Sequence, residues 1–356
     1  MARFQILSFI GGGIRGAFAT SLLKELEQKL GRPIAESFDL IAGTSTGGII
    51  AIGLALGLSA EQMHDFYVRH GAKIFTPRPP YKAKGLMRFV FPLANWAFKK
   101  KTGGALDAAF RARFCPFALQ DAFDQGFGDS TLKSVDFTRL LIPAVNLTKG
   151  EPHVFRSRHL PIALHDQDTK VADVAVATTA APTYFPHRQI DGSDYVDGGM
   201  WANDPSLLAF VEATRIQQFE AANEGSSSLD ASDVHLLSIG TGQAQFSLSP
   251  PGSDAGLLYW APRVADLMGT AQVQGMHLPL KFLMGDRYRH INFKMTEPWG
   301  IDAVENIPEL FRVGKKRAAE CFDWVNEGFF QHKRTQFTPV TVTDNEIQLS
   351  DEFGFE

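Results

Sequence analysis

Cysteine is almost missing from this 356-residue chain: Cys115 and Cys321 stand alone, far apart and in no paired spacing. That excludes a disulfide framework and a cysteine-based zinc site, and it suits a reducing compartment, so a cytoplasmic protein is expected. Long apolar runs are missing too. The longest uncharged stretch, 40–60, carries Gly, Ser and Thr through its first half and is solidly apolar only from Ile49 to Leu58, short of the roughly 20 apolar residues that a membrane span needs. The N-terminus offers one Arg and the seven residues Phe4 to Ile10 before a glycine cluster, too short for a signal peptide. There is no H-E-x-x-H. His153, His159 and His165 recur every six residues with Pro161 between them, a spacing that fits no helix face, so neither a metal nor a cofactor is expected.

What the chain does have is a globular composition, 44% hydrophobic and 21% charged with a net charge of −4, which excludes disorder and leaves one large α/β domain or two ordinary ones. The balance gives no footprint for a nucleic acid polymer. Acidic residues are absent from Phe66 to Leu106, where nine basic ones (Arg69, Lys73, Arg78, Lys82, Lys84, Arg88, Lys99, Lys100 and Lys101) sit among aromatics. Within it, 85–101 joins Leu86, Phe89, Phe91, Leu93, Trp96 and Phe98 to the cationic run Lys99-Lys100-Lys101, as a helix resting on an anionic membrane surface would. The same residues also fit a core-facing helix with a solvated edge, interrupted at Pro92.

Phe4 to Ile10 reads as a buried strand, Gly11 to Gly16 as a tight turn and Ala17 to Leu30 as an amphipathic helix. Phe38 to Ala42, Gly43 to Gly48 and Ile49 onward repeat strand, turn and helix, which starts a mostly parallel sheet covered by helices. Ser59 with Gln62 opens a further helix toward Phe75. Strands are expected at 140–146, 153–158, 195–197, 234–239 and 287–295, and helices at 170–180, 205–222 and 309–330. Residues 223–233 read as a linker and 247–255 as a loop.

Gly11-Gly12-Gly13-Ile14-Arg15-Gly16 satisfies G-x-G-x-x-G between a strand and a helix, where backbone amides cradle an anion. A dinucleotide pyrophosphate there, in an oxidoreductase, would need an acid at the end of the second strand, and Asp39 stands at its start. The alternative anion is an ester oxyanion. Gly43-Thr44-Ser45-Thr46-Gly47 supplies G-x-S-x-G in the same strand-to-helix setting, the place of a nucleophile elbow around Ser45. For the base, a histidine triad offers His235, His277 or His290 without a supporting motif, whereas Asp197-Gly198-Gly199 places a carboxylate on a turn able to approach another closely.

Those blocks, with Ala177-Thr178-Thr179-Ala180-Ala181-Pro182-Thr183-Tyr184-Phe185-Pro186, Asn203, Pro205 and Leu237-Ser238-Ile239-Gly240-Thr241-Gly242, resemble the patatin-like phospholipases and lipid acyl hydrolases. The resemblance implies a three-layer α/β fold with a mostly parallel sheet between helices. It implies Ser45 as nucleophile, Asp197 as the base of a Ser-Asp dyad, and Gly11, Gly12, Gly13, Arg15 and Gly16 as the oxyanion hole. Gly43, Thr44, Thr46 and Gly47 would form the elbow, and Gly198 and Gly199 the acid motif. The implied substrate is the fatty-acyl ester of membrane phospholipids, hydrolysed at the inner face of the membrane. Two departures stand out, Ile10 where many relatives carry an acid and Asp204 where they carry Asn. Residues 1–245 would be the catalytic core and 246–356 a mainly helical extension packed on or completing it. Length and the extra C-terminal part are similar to the bacterial anti-phage phospholipase effectors, which implies a cyclic dinucleotide activator. Homo-oligomerisation stays open, and an inactive patatin-like binding module is the non-enzymatic alternative.

Overall fold

The computed structural model describes residues 3–79, 87–102, 110–224, 231–244, 254, 256–260, 263–336 and 338–341. Eight strands among them form one sheet: β1 (Phe4–Phe9), β2 (Leu40–Gly43), β3 (Arg139–Asn146), β4 (Glu151–Arg156), β5 (Arg188–Ile190), β6 (Ser193–Asp197), β7 (Val234–Ile239) and β8 (Tyr288–Ile291). The order is β5-β6-β3-β2-β1-β7-β8, with β4 added to β3. β2, β1, β7 and β8 run parallel to β3, while β4 and β6 run against it.

The register on β3 builds the site. Leu141 pairs with both Ala42 of β2 and Arg156 of β4, and Ala144 pairs with both Asp197 of β6 and His153 of β4. A strand has two edges, so β4 fills one and β2 and β6 share the other. Because β2 is parallel and β6 antiparallel, their carboxyl ends meet head-on across Ile142 and Pro143. The residues just beyond Gly43 and at Asp197 are thereby driven together from 152 positions apart.

Side chains alternate between the two faces. Leu7, Phe9, Ile41, Leu237 and Ile239 point into one core with helices α1 (Gly16–Leu30), α2 (Thr46–Ala55), α3 (Ala60–Ile74), α5 (Pro116–Phe127), α6 (Val171–Thr179) and α11 (Ile307–Val325). Phe4, Ile6, Leu40, Ala42, Val234 and Leu236 point into the other, covered by α8 (Ser206–Glu224) and α10 (Val264–Met284). This is the three-layer arrangement expected. Helices α4 (Met87–Thr102), α7 (Gly199–Ala202) and α9 (Leu257–Trp260) complete the set.

Ser59 caps α3 in a capping box with Gln62. Several expectations need correction. α4 runs through Pro92 rather than stopping at it. The last strand is only Tyr288–Ile291, and α11 ends at Val325 in a π-helical turn. The long helix α10 was not anticipated, whereas the expected strand β8 pairs with β7 in the same sheet. Residues 82, 84–86, 225–230, 247–253 and 255 of the expected segments lie outside the described residues, as do the side chains of Arg88, Phe89, Phe98, Lys99 and Lys101.

Candidate active site

Ser45 follows β2 and caps α2 with φ 54° and ψ −123°. That left-handed conformation is strained for a residue with a side chain, and such strain survives only where surroundings over-determine it. Four hydrogen bonds and two close backbone approaches do so. The Ser45 amide donates to Thr178 Oγ1 at 3.1 Å, and that hydroxyl donates to the Pro143 carbonyl at 2.7 Å. A Cβ on Gly43 would overlap the Gly47 carbonyl, and one on Gly47 the Phe9 carbonyl, so both elbow glycines are sterically required. Thr44 Oγ1 bonds the Ala202 carbonyl at 2.6 Å, and Thr46 Oγ1 bonds the buried Tyr67 hydroxyl. Behind Ser45, α2 is buried along its whole length and aims the positive end of its dipole at the hydroxyl.

Ser45 Oγ donates to Asp197 Oδ2 at 2.7 Å, and the Gly199 amide donates to Oδ1 at 2.7 Å. Asp197 is only 5% exposed. Burial pushes its carboxyl up to about 7, against the smaller opposing pull of the Gly199 and Ser45 hydrogen bonds. Gly198 passes so close to the Pro143 carbonyl that a Cβ would overlap it. The two glycines after the acid thus let the strand end turn against β3 and offer an amide back to the carboxylate.

The glycine-rich turn joins the same cluster. Gly11 N–H donates to the Asn203 carbonyl at 3.0 Å and its carbonyl accepts from Thr241 Oγ1 at 3.0 Å. Ile14 N–H donates to the Ile301 carbonyl at 2.8 Å, which folds the C-terminal region over Gly13. Gly13 has φ 60°, and a Cβ there would strike Ile301. The Gly12 and Gly13 amides have no hydrogen-bond acceptor among the described residues. Arg15 Nε donates back to the Gly12 carbonyl at 3.2 Å, and Gly16 packs where a Cβ would overlap Thr46 Oγ1.

The rival histidines lie elsewhere. His277 bonds the Tyr288 hydroxyl at 3.2 Å and His290 bonds Ser238 at 3.1 Å. His235 lines a surface cleft of about 330 Å³ with Arg3 and Trp324. Asp39 sits at the amino-terminal end of β2, where it binds Gln5 N–H, His332 and Thr335 N–H, at the opposite end of the sheet from the glycine turn. It cannot meet a ribose held there. Asp204, one of the two departures, accepts the Ser206 amide at the start of α8 through Oδ1, and burial raises its carboxyl above the usual range.

The sequence profile of the patatin-like phospholipases matches residues 7–210, the span that holds the glycine turn, Ser45 and Asp197. The chain belongs to that family. It is an ester hydrolase by that membership. A cGAMP-activated phospholipase of Pseudomonas aeruginosa is 33% identical over 87% of this patatin-like chain and 83% of its own length. Its counterpart in Escherichia coli is 32% identical over 89% and 82%, and one in Vibrio cholerae is 38% identical over 69% and 66%. The family match excludes the nucleotide-binding oxidoreductase reading of the glycine turn.

Thr178, Asn203 and Ile301 are the contributors that residue patterns did not assign to the site. Thr178 and Asn203 lie within recognisable blocks, but their partners are 133 and 192 residues away, and Ile301 lies in a region with no motif at all.

Proposed function

We propose that this patatin-like chain hydrolyses fatty-acyl esters of membrane phospholipids with Ser45 as nucleophile and Asp197 as the base, without a histidine. The 2.7 Å hydrogen bond from a strained serine to a buried carboxylate carries the reading. Asp197 Oδ2 takes the Ser45 proton as Oγ bonds the acyl carbon, and the Gly12 and Gly13 amides hold the oxyanion. Collapse breaks the ester C–O bond, and the proton passes from Asp197 to the departing lysolipid alcohol. Water then gives a proton to the same carboxylate as it attacks the acyl-Ser45 ester, and when the ester C–O bond breaks that proton returns from Asp197 to Ser45 Oγ, releasing the fatty acid and restoring the dyad. A carboxyl near 7 suits both roles at neutral pH. Gly11 is spared from the oxyanion hole because Asn203 occupies its amide.

A fluorophosphonate probe should label Ser45 covalently, and Ser45→Ala should abolish labelling and phospholipid hydrolysis together. A wild-type protein left unlabelled both with and without an added cyclic dinucleotide would instead support the inactive binding module. No described helix is long and apolar enough to cross a membrane. In this reading access to lipid is interfacial, on the cytoplasmic face, and α4 offers exposed Val90, Leu93 and Trp96 for it with Lys100 beside the indole. The relatives' names support a cyclic dinucleotide as activator. Purified protein should then be nearly silent on phospholipid vesicles until such a ligand is added; full activity without it would remove the regulatory claim alone.

A further inference from the structure

Helix α10 is apolar on two opposite sides, and only one of them is covered. Leu280 and Met284 face inward and pack with Tyr288 against the sheet. On the outer side Val264, Met268, Ala271, Gly275, Leu278 and Phe282 all lie exposed, from 42% at Met268 to 87% at Phe282 among the large ones. A helix that is apolar all round is normally buried all round. Nothing among the described residues covers this outer face.

The spacing says what kind of surface fits it. Steps of four, three, four, three and four residues follow the 3.5-residue repeat of a seam between two helices. Its flanks hold Thr270, Gln272 and Gln274, with Lys281 as the one cation, so it lacks the cationic edge that draws a helix to anionic lipid. The sequence run Lys99-Lys100-Lys101 lies in α4 instead. The order of side-chain sizes then selects the partner. A two-fold axis midway between Ala271 and Gly275 sets Val264 opposite the partner's Phe282, Met268 opposite the partner's Leu278, and Ala271 opposite the partner's Gly275. Small residues meet at the centre, where backbones must approach, and large ones fill both ends. Pro279 stands off the stripe, and Leu267, also exposed, widens it.

We propose that α10 is the dimer interface, pairing antiparallel with α10 of a second copy along this stripe. The inference is independent of the reaction assigned to Ser45, although the two sites adjoin. Gln272 on α10 accepts the Asn203 amide at 3.0 Å and donates to the Met200 carbonyl at 3.2 Å, so the seam borders the loop that follows Asp197.

Sedimentation or light scattering of the full chain tests it. Wild type should run at twice the 39.2 kDa chain mass, and Met268→Glu and Leu278→Lys should each run at the single mass. The variant carrying both changes should return to the double mass, as should an equal mixture of the two single variants, because the seam sets position 268 against the partner's 278. That recovery separates a broken seam from a broken fold. A monomeric wild type, charge variants that stay dimeric, or a double variant that stays monomeric would overturn the proposal. So would an unchanged mass accompanied by release from phosphatidylglycerol vesicles, which would make the face a lipid surface.

Discussion

Asp197 is held where its charge is costly, and both activity and stability should record it. In the role of base proposed for it, Asp197 must be ionised, so kcat/KM should rise with pH through a limb near 7. Asp197→Asn should remove that activity, and the double variant with Ser45→Ala should be no worse than either single one, since the pair acts as a unit. Stability should move the other way. The folded carboxyl binds its proton more tightly than the unfolded one near 4, so the folded state holds more protons between pH 4 and 7 and stability is lost across that window as pH rises. Asp197→Asn has no charge to bury and should melt above wild type at pH 8 but not at pH 4. Equal differences at both pH values would show that the carboxylate carries no burial penalty. Gly12 shares the steric limit of its neighbours: a β-branched residue there meets Thr241, as one at Gly13 meets Ile301, so Gly12→Val should lose folding stability along with turnover and cannot isolate an oxyanion donor.

At the scale of elements, α6 acts on the elbow through one hydroxyl. Thr178→Val keeps the shape but removes the acceptor for the Ser45 amide and the donor to Pro143, leaving two buried groups unpaired at about 1–3 kcal/mol each. Turnover should fall at least tenfold with KM nearly unchanged, and Thr178→Ser should restore it. A Ser variant as poor as the Val one would place the effect in packing against Gly48 instead. For α4, reversing the charge of Lys99, Lys100 and Lys101 should release the protein from anionic vesicles and slow hydrolysis there while sparing a soluble short-chain ester. Each engaged cation is worth on the order of 1 kcal/mol at such a surface. Unchanged sedimentation would assign the exposed Leu93 and Trp96 to some other role.

Across the whole molecule, the chain after α11 returns to the amino-terminal edge of the sheet and fastens there. The buried Asp39 carboxylate takes the Gln5 amide at 2.8 Å, the Thr335 amide at 2.8 Å and His332 Nε2 at 3.0 Å, while Arg32 bonds the Phe330 carbonyl at 2.6 Å. One side chain thus ties β1, β2 and the C-terminal strap together. Asp39→Ala should lower unfolding free energy by about 3 kcal/mol or more in denaturant titration, because three donors lose a charged acceptor. It should leave the pH limb of activity in place, since the catalytic end of the sheet is the opposite one. A shifted limb would mean that the two ends are coupled.

Sequence alone determined the elements whose period and punctuation are local: β1 and β2 as apolar runs, the two glycine-bounded turns, the Ser59 cap, and the order of motifs that names the family. It also determined which residue types stand at the site, because a strained elbow admits only glycine two positions to either side of Ser45, at Gly43 and Gly47, and a carboxylate against a strand needs small neighbours after it. Tertiary structure decided the rest. The meeting of Ser45 with Asp197 depends on β2 and β6 sharing one edge of β3 from opposite directions, a consequence of pairing register that no stretch of residues contains. Thr178 and Ile301 became site residues only through partners more than a hundred positions away. Helix α10 escaped the sequence for a related reason: with apolar residues on two faces it has no single amphipathic stripe, and only the position of the sheet shows which face is inside and which is left for a partner.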